Sequence, residues 1–243
     1  MKNRTGRRWN VACALSLAVV FIGLIGPRAQ EGSAADEKMA AIKQSLTKSM
    51  TALRSYEWIE TTTVKVDGDQ KSQKENRCYY GADGKEQKVP IDTGSEETSK
   101  KPRGIRGRVV KKKTGEMDDY VQQAAALIKQ YIPPDPKRLQ AIKDSGAQKL
   151  EVLDGATRLR AEFPAYLKQG DMLSVDVDPN ANRILGIAVS SYLEDNPKDA
   201  VTLNVSFDTL QDGTSYPAKV DVGCPSKKLE ILVENSGYQK SGS

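Results

Sequence analysis

There is no histidine anywhere in the 243 residues. That absence removes the commonest general base and the commonest metal ligand. Cysteine is almost as scarce, with three in all, at Cys13, Cys78 and Cys224. Two lone cysteines at this wide spacing assemble no zinc ligand set, so neither a metal nor another cofactor is expected. Long apolar runs are missing too, apart from Val11–Gly26 near the start. Aromatics amount to only 6%.

That one apolar run has a context. Lys2, Arg4, Arg7 and Arg8 precede it, and Gly32, Ser33, Ala34 and Ala35 follow it. A basic start, an apolar stretch and a small-residue exit form the pattern of a secretory signal peptide. The run of 16 residues is also short for a membrane span, which needs about 20. Residues 1–35 are therefore expected to be a signal peptide cleaved near Ala35. The mature protein, 36–243, is expected to be periplasmic or secreted, with no integral membrane span.

Export also explains the charge. The chain has 37 basic and 32 acidic residues, and the leader holds five of the former and one of the latter. The mature part is then 32 against 31, a net charge of +1. Nucleic acid is not an expected partner. What excess remains is local: Lys100, Lys101, Arg103, Arg106, Arg108, Lys111, Lys112 and Lys113 fall in Thr98–Gly115 without an acidic residue. Like charges repel and stay solvated. Residues 93–115 are expected to be a basic flexible loop, with Lys111, Lys112 and Lys113 as candidate anion contacts.

An exported chain with two mature cysteines permits one disulfide, Cys78–Cys224. It would close a loop of about 147 residues, worth on the order of 4–5 kcal/mol in the chain-entropy view. Two free buried thiols are the alternative.

Periodicity sets out the elements. Met39, Ile42, Leu46, Met50 and Leu53 recur at helical spacing within 36–54. Three short strands follow, at 56–66, 72–80 and 85–91, around Asp67-Gly68 and Asp83-Gly84 turns. Helices are expected at 116–131 and 135–145, the second opened by Asp135-Pro136. The last hundred residues alternate apolar and polar, as in Leu173/Val175/Val177 and Val201/Leu203/Val205/Phe207. Such alternation means a sheet with one apolar face. The fold class is thus α+β: one large curled antiparallel sheet, an incomplete barrel, with three short helices over its inner face.

Three short helices cannot cover about ten strands. Part of the inner face then either packs on itself or stays open as an apolar cavity. The lining would be Trp58, Val175, Val177, Leu185, Ile187, Leu203, Val205 and Phe207. The same residues could equally be plain core.

The first helix running into LRSYEWIETTTVKV, the hairpin leading to YYGADGKEQK and the VDVDPNANRILGI hairpin carry a resemblance. On them the chain resembles the LolA/LolB-like group of bacterial envelope proteins across most of residues 36–235. The resemblance implies an incomplete barrel lidded by helices, and several members bind acyl chains. It carries over no functional residue. Two functions are expected on this basis. One is a non-enzymatic envelope protein holding a lipid or acyl chain. The other is an envelope interaction or sensor module with a filled core that binds a partner protein.

Two motif matches fail on context. Ser45-x-x-Lys48 with Lys113-Thr-Gly115 lacks the third element of a penicillin-binding enzyme. Asp176, Asp178 and Asn180 lack the glycine and glutamate of a calcium loop. No catalytic residue is expected.

Overall fold

The computed structural model describes residues 34–91, 105–194 and 196–241. Except for Ala34 and Ala35, the expected signal peptide lies outside them. Helix α1 (Ala34–Leu53) leads into strands β1 (Tyr56–Val66), β2 (Asp69–Tyr80) and β3 (Glu86–Ile91). Helices α2 (Ile105–Ile128) and α3 (Pro136–Asp144) follow. Seven strands complete the chain: β4 (Lys149–Leu153), β5 (Arg158–Pro164), β6 (Met172–Asp178), β7 (Arg183–Tyr192), β8 (Ala200–Thr209), β9 (Ser215–Cys224) and β10 (Leu229–Lys240).

All ten strands form one antiparallel sheet in the order β3-β2-β1-β10-β9-β8-β7-β6-β5-β4. Each run, β1–β3 and β4–β10, is a meander of neighbours in sequence. Only the β1–β10 pairing joins the two, running from Tyr56 opposite Lys240 to Val66 opposite Leu229. The sheet curls without closing, and β3 and β4 remain as edges.

The inner face is apolar where the helices lie on it. Ile42 and Leu46 of α1, and Val121, Ala124, Leu127 and Ile128 of α2, share one core with Leu173, Val189, Val201, Leu203, Val205, Val220 and Val222. Leu173, Val201 and Leu203 are completely buried. Met39, expected on the apolar stripe of α1, is half exposed. The last turn of α2 is tied down by a polar network. Tyr131, itself fully buried, donates its hydroxyl proton to Asp171 Oδ2 at 2.5 Å and accepts from Ser191 Oγ at 2.7 Å. The same carboxylate oxygen accepts from the backbone N–H groups of Leu167 and Lys168, which fixes the β5–β6 loop. Helix α3 starts as expected, with Asp135 capping the Lys137 N–H and Pro136 in the first turn.

Two expectations need correction. Helix α2 begins at Ile105, so Ile105–Gly115 is helical where a loop was expected. Lysine and arginine are good helix formers, and Gly107 and Gly115 cost about 1 kcal/mol each against alanine without forbidding a helix. The rest of the expected loop, 93–104, lies outside the described residues. The second correction is the disulfide: Cys78 and Cys224 are both free and both buried. Cys78 stands opposite Trp58, while Cys224 stands opposite Leu229, which itself faces Val66. The two are thus three strand spacings apart across the sheet and eight residues apart along it, roughly 14 Å by 26 Å. A disulfide needs Cα atoms within about 7 Å.

Leu203→Ala is expected to lower the unfolding free energy by about 2–5 kcal/mol, read by urea denaturation. A cost under about 1 kcal/mol would mean that the site is not packed as described. A reductant is expected to leave the thermal midpoint of the folded protein unchanged, since no bridge is there to break.

Candidate functional site

The expected lining divides into three groups. Val177, Ile187, Leu203 and Val205 are buried in the helix-covered core, and Val175 and Phe207 are partly buried against it. Leu185 does not belong with them. Asp176 faces Gly186 and Val177 faces Ile184, so Leu185 is the extra residue of a bulge. The bulge changes the phase of β7 by one, and Ile184 takes the inward position at 8% exposure. Trp58 is buried, but elsewhere.

Trp58 belongs to an aromatic cluster beyond the helix-covered core. Its ring stacks on Tyr238 at 5.5 Å and meets Tyr80 at 5.7 Å. Tyr216 lies 4.3 Å from Tyr238, and Tyr56 meets Tyr238 edge-on at 6.3 Å. Polar anchors fix the rings. Trp58 Nε1 donates to Asn235 Oδ1 at 3.1 Å, and Asn235 in turn donates to the Pro217 carbonyl at 2.8 Å. Tyr56 donates to Asp212 at 2.5 Å. That hydrogen bond holds the Asp212 carboxyl down at about 2, helped by Thr214.

Next to the rings, on the same face, stand Glu60, Cys78, Glu86 and Lys88. The ammonium of Lys88 bridges Glu60 and Glu86, the latter at 3.3 Å. Burial alone would depress Lys88, yet the two carboxylates outweigh it and leave its pKa raised. Burial raises Glu86 against the pull of Lys88. Cys78 is pushed up to about 12 by burial and then by the charge of Glu60. Glu60, Cys78 and Glu86 bring one ligand atom each within 4.8 Å of one another. The set does not suit a metal: a lysine ammonium already stands between its carboxylates, and its thiol is held protonated.

An open cleft of about 500 Å³ lies on the other side of α2. Glu116, Met117, Asp119, Tyr120 and Gln123 form its helical wall. Leu193, Glu194 and Asp199, between β7 and β8, face them with Lys227. Lys227 sits 5.1 Å from the Tyr120 ring, and the Tyr120 hydroxyl lies 3.2 Å from Ser226 Oγ. Four carboxylates against one ammonium make the cleft acidic. Its residues come from three separate stretches, and no spacing in the sequence marks them. Lys111, Lys112 and Lys113 stand on the first half of the same helix.

The outer face of the sheet is polar. Arg160 binds Asp176 through Nε at 2.7 Å and through Nη2 at 2.9 Å, and Arg158 joins the same carboxylate. Burial pushes Asp176 up, but the hydrogen bonds from Arg160 and Arg158 outweigh it and hold it below its usual value.

No protein-family model matches the chain. No curated protein matches it either. Among solved structures it is similar to a DUF1329 family protein from Desulfovibrio piger, at 10% identity over 85% of this chain and 93% of that one, with a TM-score of 0.42. A LolA superfamily protein from Nitrosomonas europaea is similar at 8% identity over 83% and 94%, with a TM-score of 0.36. A chain of the Pseudomonas aeruginosa MucA/MucB complex matches at 8% identity over 85% and 100%, with a TM-score of 0.23. No described helix is long and apolar enough to cross a membrane.

The Asp176 cluster sets a pH dependence. Its folded pKa lies below the unfolded value of about 3.9. The stability it contributes is therefore present above that value and lost as pH falls through the folded pKa. Asp176→Asn is expected to flatten the loss of stability between about pH 5 and 2, measured by denaturant titration across that range. Parallel curves for the two proteins would remove the assignment.

Proposed function

We propose that this is an exported, non-enzymatic binding protein of the cell envelope that engages a partner protein through its surface. The observation that supports this reading is the burial of the side chains under the helices. Leu173, Val201 and Leu203 are fully buried there against α1 and α2, and they are side chains that an acyl chain would have to displace. Val177, Ile187, Leu203 and Val205 of the expected lining are buried there as well, which favours a packed core. An accessible cleft at α2 carries four carboxylates against one ammonium, a charge balance that suits a basic protein segment. Export rests on the leader pattern of residues 1–35, and the non-enzymatic character on polar groups that are tied to one another. The Tyr131–Asp171–Ser191 network is buried, and Glu60 and Glu86 are both engaged by the Lys88 ammonium.

Native mass spectrometry of the protein purified from the periplasm of an expression host tests the reading. The expected mass is clean and stays so after incubation with phospholipid vesicles and fatty acids. A lipid-sized adduct that survives gentle ionisation and vanishes on denaturation would overturn it in favour of an acyl-chain carrier. A photoreactive residue placed at Gln123, in the cleft wall, is expected to give one discrete protein adduct in intact cells.

A further inference from the structure

The two edges of the sheet are built differently. At one edge, β3 carries Pro90, which removes a backbone donor and blunts the strand. At the other edge, β4 has no proline and, among the described residues, pairs only with β5. Leu150 and Val152 are 61% and 67% exposed, the most exposed large apolar side chains among the described residues. They face Ala161 and Leu159 across the pairing, so they extend the inner apolar face past the helices. Lys149 and Glu151 alternate with them on the outer face. An unpaired strand with an apolar stripe is a ready template for another strand.

The charges on β4 select what that strand is. In a two-fold antiparallel pair the inner faces coincide, so the axis must lie midway between one residue of β4 and the same residue of the partner. An axis at Glu151 sets two carboxylates opposite each other, and one at Lys149 sets two ammoniums opposite each other. An axis at Val152 puts Leu150 against the partner's Asp154. Only an axis at Leu150 matches charge to charge: Lys149 faces the partner's Glu151 on both sides, and Leu150 meets the partner's Leu150 on the inner face. We infer that β4 pairs with β4 of a second copy in this register, making a two-fold dimer with one continuous sheet. This surface is independent of the cleft beside α2 and of whatever the interior accepts.

The pairing predicts a charge-swap pattern that a generic apolar contact would not give. Sedimentation velocity over a concentration series would compare the full exported chain with Glu151→Lys and with the double variant Lys149→Glu/Glu151→Lys. All the changed side chains are exposed, and circular dichroism checks that the fold is kept. Glu151→Lys sets Lys149 against a lysine twice and is expected to weaken the dimer about tenfold or more. The double variant restores both opposite-charge pairs and is expected to recover the dimer. A wild type that stays monomeric at every concentration would overturn the inference. So would a dimer indifferent to Glu151→Lys, or a double variant no better than the single one.

Discussion

Pairing between β1 and β10 is the constraint on which the rest of this structure hangs. Its ten residue pairs join positions 163 to 184 apart in sequence. Every other strand pairing is between neighbours in the chain. Without it there would be a three-stranded meander and a seven-stranded one, each with a bare edge in place of a partner. With it, Val64 and Val66 reach the same core as Ile231 and Val233. The entropy of closing so long a loop must be met before this pairing returns any stabilisation, which is the usual reason that such sheets form slowly.

The inner face that results is divided by composition. Under α1 and α2 it is mostly aliphatic and buried. Toward β1–β3 it changes to Trp58, four tyrosines and an ion cluster, with Cys78 among them. The change follows the helices: their apolar stripes cover only the aliphatic part, and the remainder relies on ring stacking and on Lys88 to offset the cost of burying Glu60 and Glu86. One sheet thus holds two differently built cores: Asp171 in the first is held by hydroxyl and backbone donors, and Glu60 and Glu86 in the second by an ammonium.

Much of the fold could be read from alternation. Periods of two and of three to four located all ten strands and three helices, and the shortage of helix against sheet implied a curled, open form. What could not be read has particular physical causes. Alternation says which face a residue takes until a bulge intervenes, and the one at Leu185 is marked locally by nothing more than the neighbouring Gly186. It says nothing about which strands are neighbours across the chain, so the distance between Cys78 and Cys224 was invisible. A run of lysines and arginines is compatible with either a solvated loop or the first half of a helix, and the core-facing stripe among the residues whose burial is described begins at Met117. The acidic cleft draws on three stretches that meet only after folding.

The wide separation of the two thiols bears on the order of events that the proposed export would impose. In the unfolded chain Cys78 and Cys224 can meet, and an oxidising compartment would join them. A chain so joined cannot reach the native sheet, which holds the pair far beyond bonding range. In such a compartment folding and oxidation would race, and the sheet would win by hiding its sulfurs. Closure of β10 onto β1 sets Cys78 and Cys224 in separate, buried places, where burial keeps each thiol protonated and slow to react. The fold protects its cysteines by keeping them apart.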